Sequence, residues 1–129
     1  MTIKDFAEKY NLHDSGIEKI FYDAENKKLV LTIEFCFWMQ NWFVEDEPSN
    51  GRISATFENV SVFDYDENIS EKIFSEELDN EILNAKLEDE NLILNLRETV
   101  SYQPLQEIFY KLKIKAENVE VVELECYDL

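Results

Sequence analysis

Apolar and polar residues alternate with period two through most of the chain, and the first ten residues depart from that rhythm. From Lys28 to Phe37, Leu29, Leu31, Ile33, Phe35 and Phe37 fall on one side of an extended segment, because successive side chains of a strand point to opposite faces. A core strand is predicted there. Ile108 to Ala116 repeats the pattern, with Ile108, Tyr110, Leu112 and Ile114 on one face and Lys111, Lys113 and Lys115 on the other. Leu92, Leu94 and Leu96 mark a strand from Leu92 to Thr99, paired through a turn at Glu88-Asp89-Glu90-Asn91 with Ile82 to Leu87. Ile17 to Tyr22 is rich in β-branched and aromatic residues, and Asp23 to Lys27 suits a hairpin loop into the core strand. Ile53, Ala55 and Phe57, followed by Val60 to Tyr65, predict one bulged strand or two short ones. Val119 to Cys126 reads as the last strand, joined to Ile108–Ala116 in a third hairpin by a tight turn at Glu117-Asn118. That turn would set Lys115 directly opposite Glu120.

Thr2 followed by Ile3, Phe6, Ala7 and Tyr10 has helical spacing and a cap, so residues 3 to 10 are predicted as a short amphipathic helix lying on a sheet. Together the elements predict a single domain, residues 1–129, mainly β with a short N-terminal helix. The expected form is an antiparallel meander of about seven or eight strands closing as a sandwich or curved sheet. With two glycines in the chain, Asn26, Asn91 and Asn118 of three Glu-Asn turns are expected to take the positive φ that tight turns need.

Composition narrows what such a body can do. With 29 acidic against 12 basic residues the formal net charge is -17, which repels nucleic acid and anionic membranes and steers basic proteins inward. Nine Phe, six Tyr and two Trp supply a core that disordered acidic chains lack. Met1 to Tyr10 carries Lys4, Asp5, Glu8 and Lys9 and no apolar stretch, so no secretory signal is read and a cytoplasmic location is expected. Cys36 and Cys126, far apart in strand-like settings, read as reduced buried thiols, with a single bridge between them left open.

Candidate chemistry is sparse. His13-Asp14-Ser15 sets an imidazole beside a carboxylate and a hydroxyl, but three consecutive residues cannot converge on one point as a triad must. A local turn role is expected instead. Asp64-Tyr65-Asp66-Glu67-Asn68 opens like an EF-hand loop, yet Ile69 stands where glycine is needed and Ser75 where a bidentate glutamate should close the site. No zinc-ligand spacing, phosphate loop or nucleophile elbow occurs, so no cofactor, metal or catalytic residue is assigned. The most unusual segment is Phe35 to Phe43. Alternation leaves Trp38 on the face opposite the core and places Trp42 and Phe43 at the strand's end, just before Glu45, Asp46 and Glu47. Aromatics beside acids suit a hot spot for a basic partner.

The order of features, a short helix, Leu12-His13-Asp14-Ser15-Gly16-Ile17, a strand and hairpin, Leu29-Val30-Leu31-Thr32-Ile33, and Phe57-Glu58-Asn59-Val60, resembles small acidic bacterial proteins with a Leu-His-Asp-x-x-Ile signature. Some of these are immunity proteins of polymorphic toxin systems. The resemblance implies a β-rich, non-enzymatic domain and, for the immunity members, an inhibitory complex with a toxin. The leading expectation is thus an acidic protein-binding module acting through Trp38, Trp42, Phe43, Glu45, Asp46 and Glu47. Two others are carried: a small metal-dependent hydrolase using His13, Asp14 and the Asp64–Asn68 loop, and a structural homodimer joined through the aromatic segment.

Overall fold

Alternation along the strands becomes two apolar sheet faces turned toward each other. One is supplied by Leu29, Leu31, Ile33 and Phe35 with Ile53, Ala55 and Phe57; the other by Leu92, Leu94 and Leu96 with Tyr110, Leu112 and Ile114. All are at most 3% exposed. Each large aliphatic side chain so buried contributes about 1.5–3 kcal/mol before the entropy of ordering is subtracted. The computed structural model describes residues 1–69, 73–74 and 78–128. Its elements are α1 (Ile3–Lys9), β1 (Gly16–Asp23), β2 (Lys28–Cys36), β3 (Asn50–Glu58), β4 (Val62–Tyr65), β5 (Asn80–Glu88), β6 (Asn91–Tyr102), β7 (Leu105–Lys115) and β8 (Asn118–Tyr127), with 3-10 turns at Phe37–Met39 and Glu67–Ile69. The strands form two antiparallel four-stranded sheets, ordered β1-β2-β3-β8 and β4-β7-β6-β5. The mainly β fold with its leading helix is as the periodicity predicts.

Thr2 caps α1 through a reciprocal pair, its hydroxyl accepting the Asp5 N–H at 3.0 Å while the Asp5 carboxylate accepts the Thr2 N–H. This satisfies two otherwise orphaned donors. The helix buries Ile3 and Phe6, sets Phe6 edge-on to Phe57 and Tyr10 edge-on to Phe35, and touches strands of both sheets. Along the β1–β5 seam the sheets are stitched together. The Asn80 side chain accepts the Ile17 N–H and donates to the Ile17 carbonyl, both at 2.8 Å, and Ile82 donates to the Ser15 carbonyl at 2.7 Å.

Three expectations are corrected. First, there is no hairpin between β7 and β8: the chain crosses to the other sheet, where β8 pairs with β3. Neither Glu117 nor Asn118 has the positive φ of a two-residue hairpin turn. Lys115 therefore faces Val62 in register and pairs with Glu90 at 3.6 Å, while Glu120 stands opposite Thr56. Second, positive φ falls on Asp14, Lys27, Asp46, Asn59, Asp89 and Glu90, not on Asn26, Asn91 or Asn118. Those asparagines act through their side chains: Asn26 binds the Asp23 carboxylate, Asn91 donates to the Asp89 carbonyl, and Asn118 accepts from the N-terminal ammonium. Third, Cys126 is exposed and Cys36 half-buried, both as free thiols. Strand β3 runs between them, with Asn50 opposite Cys36 and Gly51 opposite Cys126. A separation of two strand spacings, about 10 Å, exceeds the reach of a disulfide.

Candidate binding surface

Where β2 ends, the chain leaves the sheet for the segment 37–49 and returns at β3. Strand pairing stops at Cys36, and Phe37 opens a 3-10 turn while remaining 6% exposed, so it still reaches the core as its alternation suggests. Gln40, 5% exposed, holds this excursion against the end of α1. Its amide donates to the Asn11 and Cys36 carbonyls at 2.8 and 2.9 Å, and its side-chain oxygen accepts the Asn11 N–H at 2.8 Å. Trp42 adds a second tie through its indole N–H to the Lys9 carbonyl at 3.0 Å, with its ring edge-on to Tyr10 and Phe37. Turns close on Gln40 and Val44, Asp46 takes a φ of 84°, and the Asp128 carboxylate receives the Ser49 N–H at 2.9 Å. The excursion is thereby fixed to α1 on one side and to the end of β8 on the other.

Between it and β8 lies an open cleft of about 220 Å³ lined by Phe37, Trp42, Phe43, Val44, Glu47, Pro48, Glu123 and Cys126. Two of these walls, Phe37 and β8, pack closely on Gly51. A Cβ there would stand 2.1 Å from the Glu125 carbonyl oxygen and 2.6 Å from the Phe37 ring, so the ring and β8 close over bare backbone. Among the described residues the lining holds two carboxylates and no cation. Partial burial, then the charges of Glu123 and Glu47, push the Cys126 thiol above its ordinary pKa, which keeps it protonated and a poor nucleophile. The nearest guanidinium, Arg52, is engaged by Glu18 at 2.8 Å and by Glu125 on the outer face of the sheet, and both carboxylates push its pKa upward.

Of the residues expected at a partner site, Trp42, Phe43 and Glu47 come together in this cleft. Glu45 and Asp46 are exposed on the loop that precedes Glu47. Trp38 is 55% exposed and stands apart from the cleft lining. Glu123 and Cys126 join the site from β8, outside the segment the sequence points to. The acidic alternation of Val119 to Cys126 is visible in the sequence, but its proximity to Trp42 requires the β3–β8 pairing.

The triad-like motif is a turn. His13 Nδ1 lies 3.0 Å from the Asp14 carboxylate, both side chains being about half exposed. Ser15 is fully buried, its hydroxyl accepting the Cys36 N–H at 3.3 Å, so it ties the turn to the end of β2 where the local reading expects a bond within the turn itself. Asp14 donates its N–H to Ile82 on β5, whereas Asp64 belongs to β4 at the opposite edge of the same sheet, three strand spacings or about 14 Å away. Asp66 accepts the Lys111 N–H at 2.9 Å. The structure thus does not gather His13, Asp14 and the Asp64–Asn68 loop into one pocket. The side chain of Asn68, and Ser75, lie outside the described residues. Among the described residues no three His, Cys, Asp or Glu side chains are grouped to hold a metal, and no helix is long and apolar enough to cross a membrane. Comparison with family models, with curated proteins and with solved structures finds no match.

Proposed function

We propose that this chain is a non-enzymatic, acidic protein-binding module of the cytoplasm whose partner is a basic protein, a toxin held inactive in the manner of the immunity proteins it resembles. The observation that carries this reading is the convergence of Trp42 and Phe43 with Glu47 and Glu123 on one open cleft whose described lining holds no cation. Aromatic anchors are the usual centre of a binding hot spot, and the neighbouring carboxylates complement a basic partner. The net charge of -17 supplies long-range attraction toward a cationic surface. The test is kinetic. A basic partner captured from native cell extract should associate with this protein at a rate falling about tenfold or more between low and high salt. Equal rates at both salt concentrations would remove the electrostatic basis of the reading.

A second reading, the homodimer, draws support from a different place than the aromatic segment. Val100, Tyr102, Leu105 and Phe109, 41–69% exposed, cluster on the far end of the β6–β7 hairpin. Light scattering of the wild type and of Phe109→Ser and Trp42→Ala variants distinguishes a dimer through either surface from a monomeric binder.

A further inference from the structure

Among the described residues strand β8 has β3 on one side and no partner strand on the other. The N–H and carbonyl of Val119 both engage Met1, at 2.8 and 3.0 Å. They point away from β3, and the alternation of an antiparallel ladder turns those of Val121 and Glu123 the same way. Beyond Val119 no backbone bond of the described residues occupies that outer side. Bare edges are normally blunted with charged side chains, lysine above all, or with proline, a bulge or a covering loop. Asn118–Tyr127 contains neither lysine nor proline, and its pairing with β3 shifts register between Glu123 and Glu125, so regular alternation runs from Asn118 to Glu123. Its charges are Glu120, Glu123 and Glu125, and its outer face shows Val122 and Leu124, about half exposed. The far end of this edge opens on the aromatic cleft, since Glu123 and Cys126 belong to both.

We infer that β8 is a strand-acceptor edge: a basic, extended segment of the partner protein pairs with its outer side along residues 120–123 and, where the ladder is broken, seats one large apolar side chain between Trp42, Phe43 and Val44. Main-chain bonds would supply affinity and the alternating side chains specificity, as in other cases of strand addition. Charge complementarity selects the occupant. Two β8 edges set against each other would juxtapose glutamates, which disfavours a second copy, whereas lysines or arginines on an incoming strand would face Glu120 on one side or Glu123 and Glu47 on the other. The inference rests on the reading of this chain as an acidic module for a basic partner and adds the geometry of the contact.

The probe is a short synthetic peptide of alternating lysine and valine with one central leucine, titrated into the full-length protein and followed by amide hydrogen exchange and NMR. Strand addition predicts that exchange at Val121 and Glu123 slows by about tenfold or more. It also predicts that N-methylating alternate peptide backbone nitrogens weakens binding by about tenfold or more, since several main-chain bonds are lost with charge unchanged. Equal affinity of the two peptides, with no new protection on β8, would overturn strand addition and leave the basic-partner reading standing. Failure of both peptides to bind even at low salt would overturn the two together. Peptide-free sedimentation as a dimer with protected β8 amides would assign the edge to a second copy and overturn the inference.

Discussion

Trp42 commits its indole N–H to the Lys9 carbonyl and its ring to Tyr10 and Phe37 while leaving 37% of its surface to solvent, so the same side chain braces the fold and faces the cleft. Trp42→Ala should cost about 2 kcal/mol in urea unfolding, the scale of a partly buried aromatic. Trp38→Ala, at a 55% exposed position, should stay within about 0.5 kcal/mol. Tyr110 makes a sharper case. Its phenol is 3% exposed with no hydrogen-bond partner among the described residues, and burial first, then the charge of Glu98, raises its pKa well above 10. A raised pKa means that the neutral form is favoured in the folded state. The stability tied to it is fully present below the unfolded value of about 10 and is lost as pH rises toward the folded value. Tyr110→Phe should leave stability at pH 7 unchanged or raise it by about 1 kcal/mol, because a buried hydroxyl without a partner costs free energy. It should also flatten the fall in denaturation midpoint above pH 10. A smaller slope should remain from Tyr102, raised chiefly by its hydrogen bond to Asp79, and from Tyr127, raised chiefly by burial.

At the level of elements, the β5–β6 turn runs through two non-glycine residues at positive φ, Asp89 at 50° and Glu90 at 66°. Both central residues of such a turn prefer Asn or Gly. Replacing the pair by Asn-Gly should therefore stabilise the protein by about 1 kcal/mol, read from the midpoint of thermal or urea unfolding. The salt bridge this deletes, Lys115 to Glu90 at 3.6 Å with the glutamate 84% exposed, offsets little of the gain. This turn also marks the limit of what the chain displays to a reader. Strands β2, β6 and β7 are legible because Leu29 to Phe35, Leu92 to Leu96 and Tyr110 to Ile114 alternate without interruption, and α1 because Thr2 and Asp5 form its cap. The turns sit one residue away from where Asn suggests, because positive φ follows from strand register. Register in turn depends on partners far along the chain. The same holds for β8: local pattern gives a strand after Glu117-Asn118, but its pairing with β3 across some sixty residues is a property of the packed sandwich.

For the molecule as a whole, a formal charge of -17 on 129 residues means that the compact state confines mutually repelling carboxylates that the unfolded chain can separate. Raising the ionic strength from about 10 mM to 200 mM shortens the screening length from about 30 Å to under 10 Å. The thermal midpoint should rise by several degrees, on the order of 1 kcal/mol, checked by calorimetry in sodium chloride. A fall with salt would show that attractive pairs such as Arg52 with Glu18 and Glu125 outweigh the repulsion. The candidate surface shares the legibility of the fold. The aromatic and acidic run from Trp38 to Glu47 stands out in the sequence; that its Trp42 end closes a cleft with Glu123 and Cys126, while Trp38 does not, depends on the 3-10 turn at Phe37 and the clamp of Gln40. That division of the two indoles makes the protein its own optical assay. Trp38, 55% exposed and away from the cleft lining, adds background emission, and Trp42, in the cleft wall, is the fluorophore whose spectrum should move when anything settles beside it, so a Trp38→Phe protein would report occupancy without an added dye.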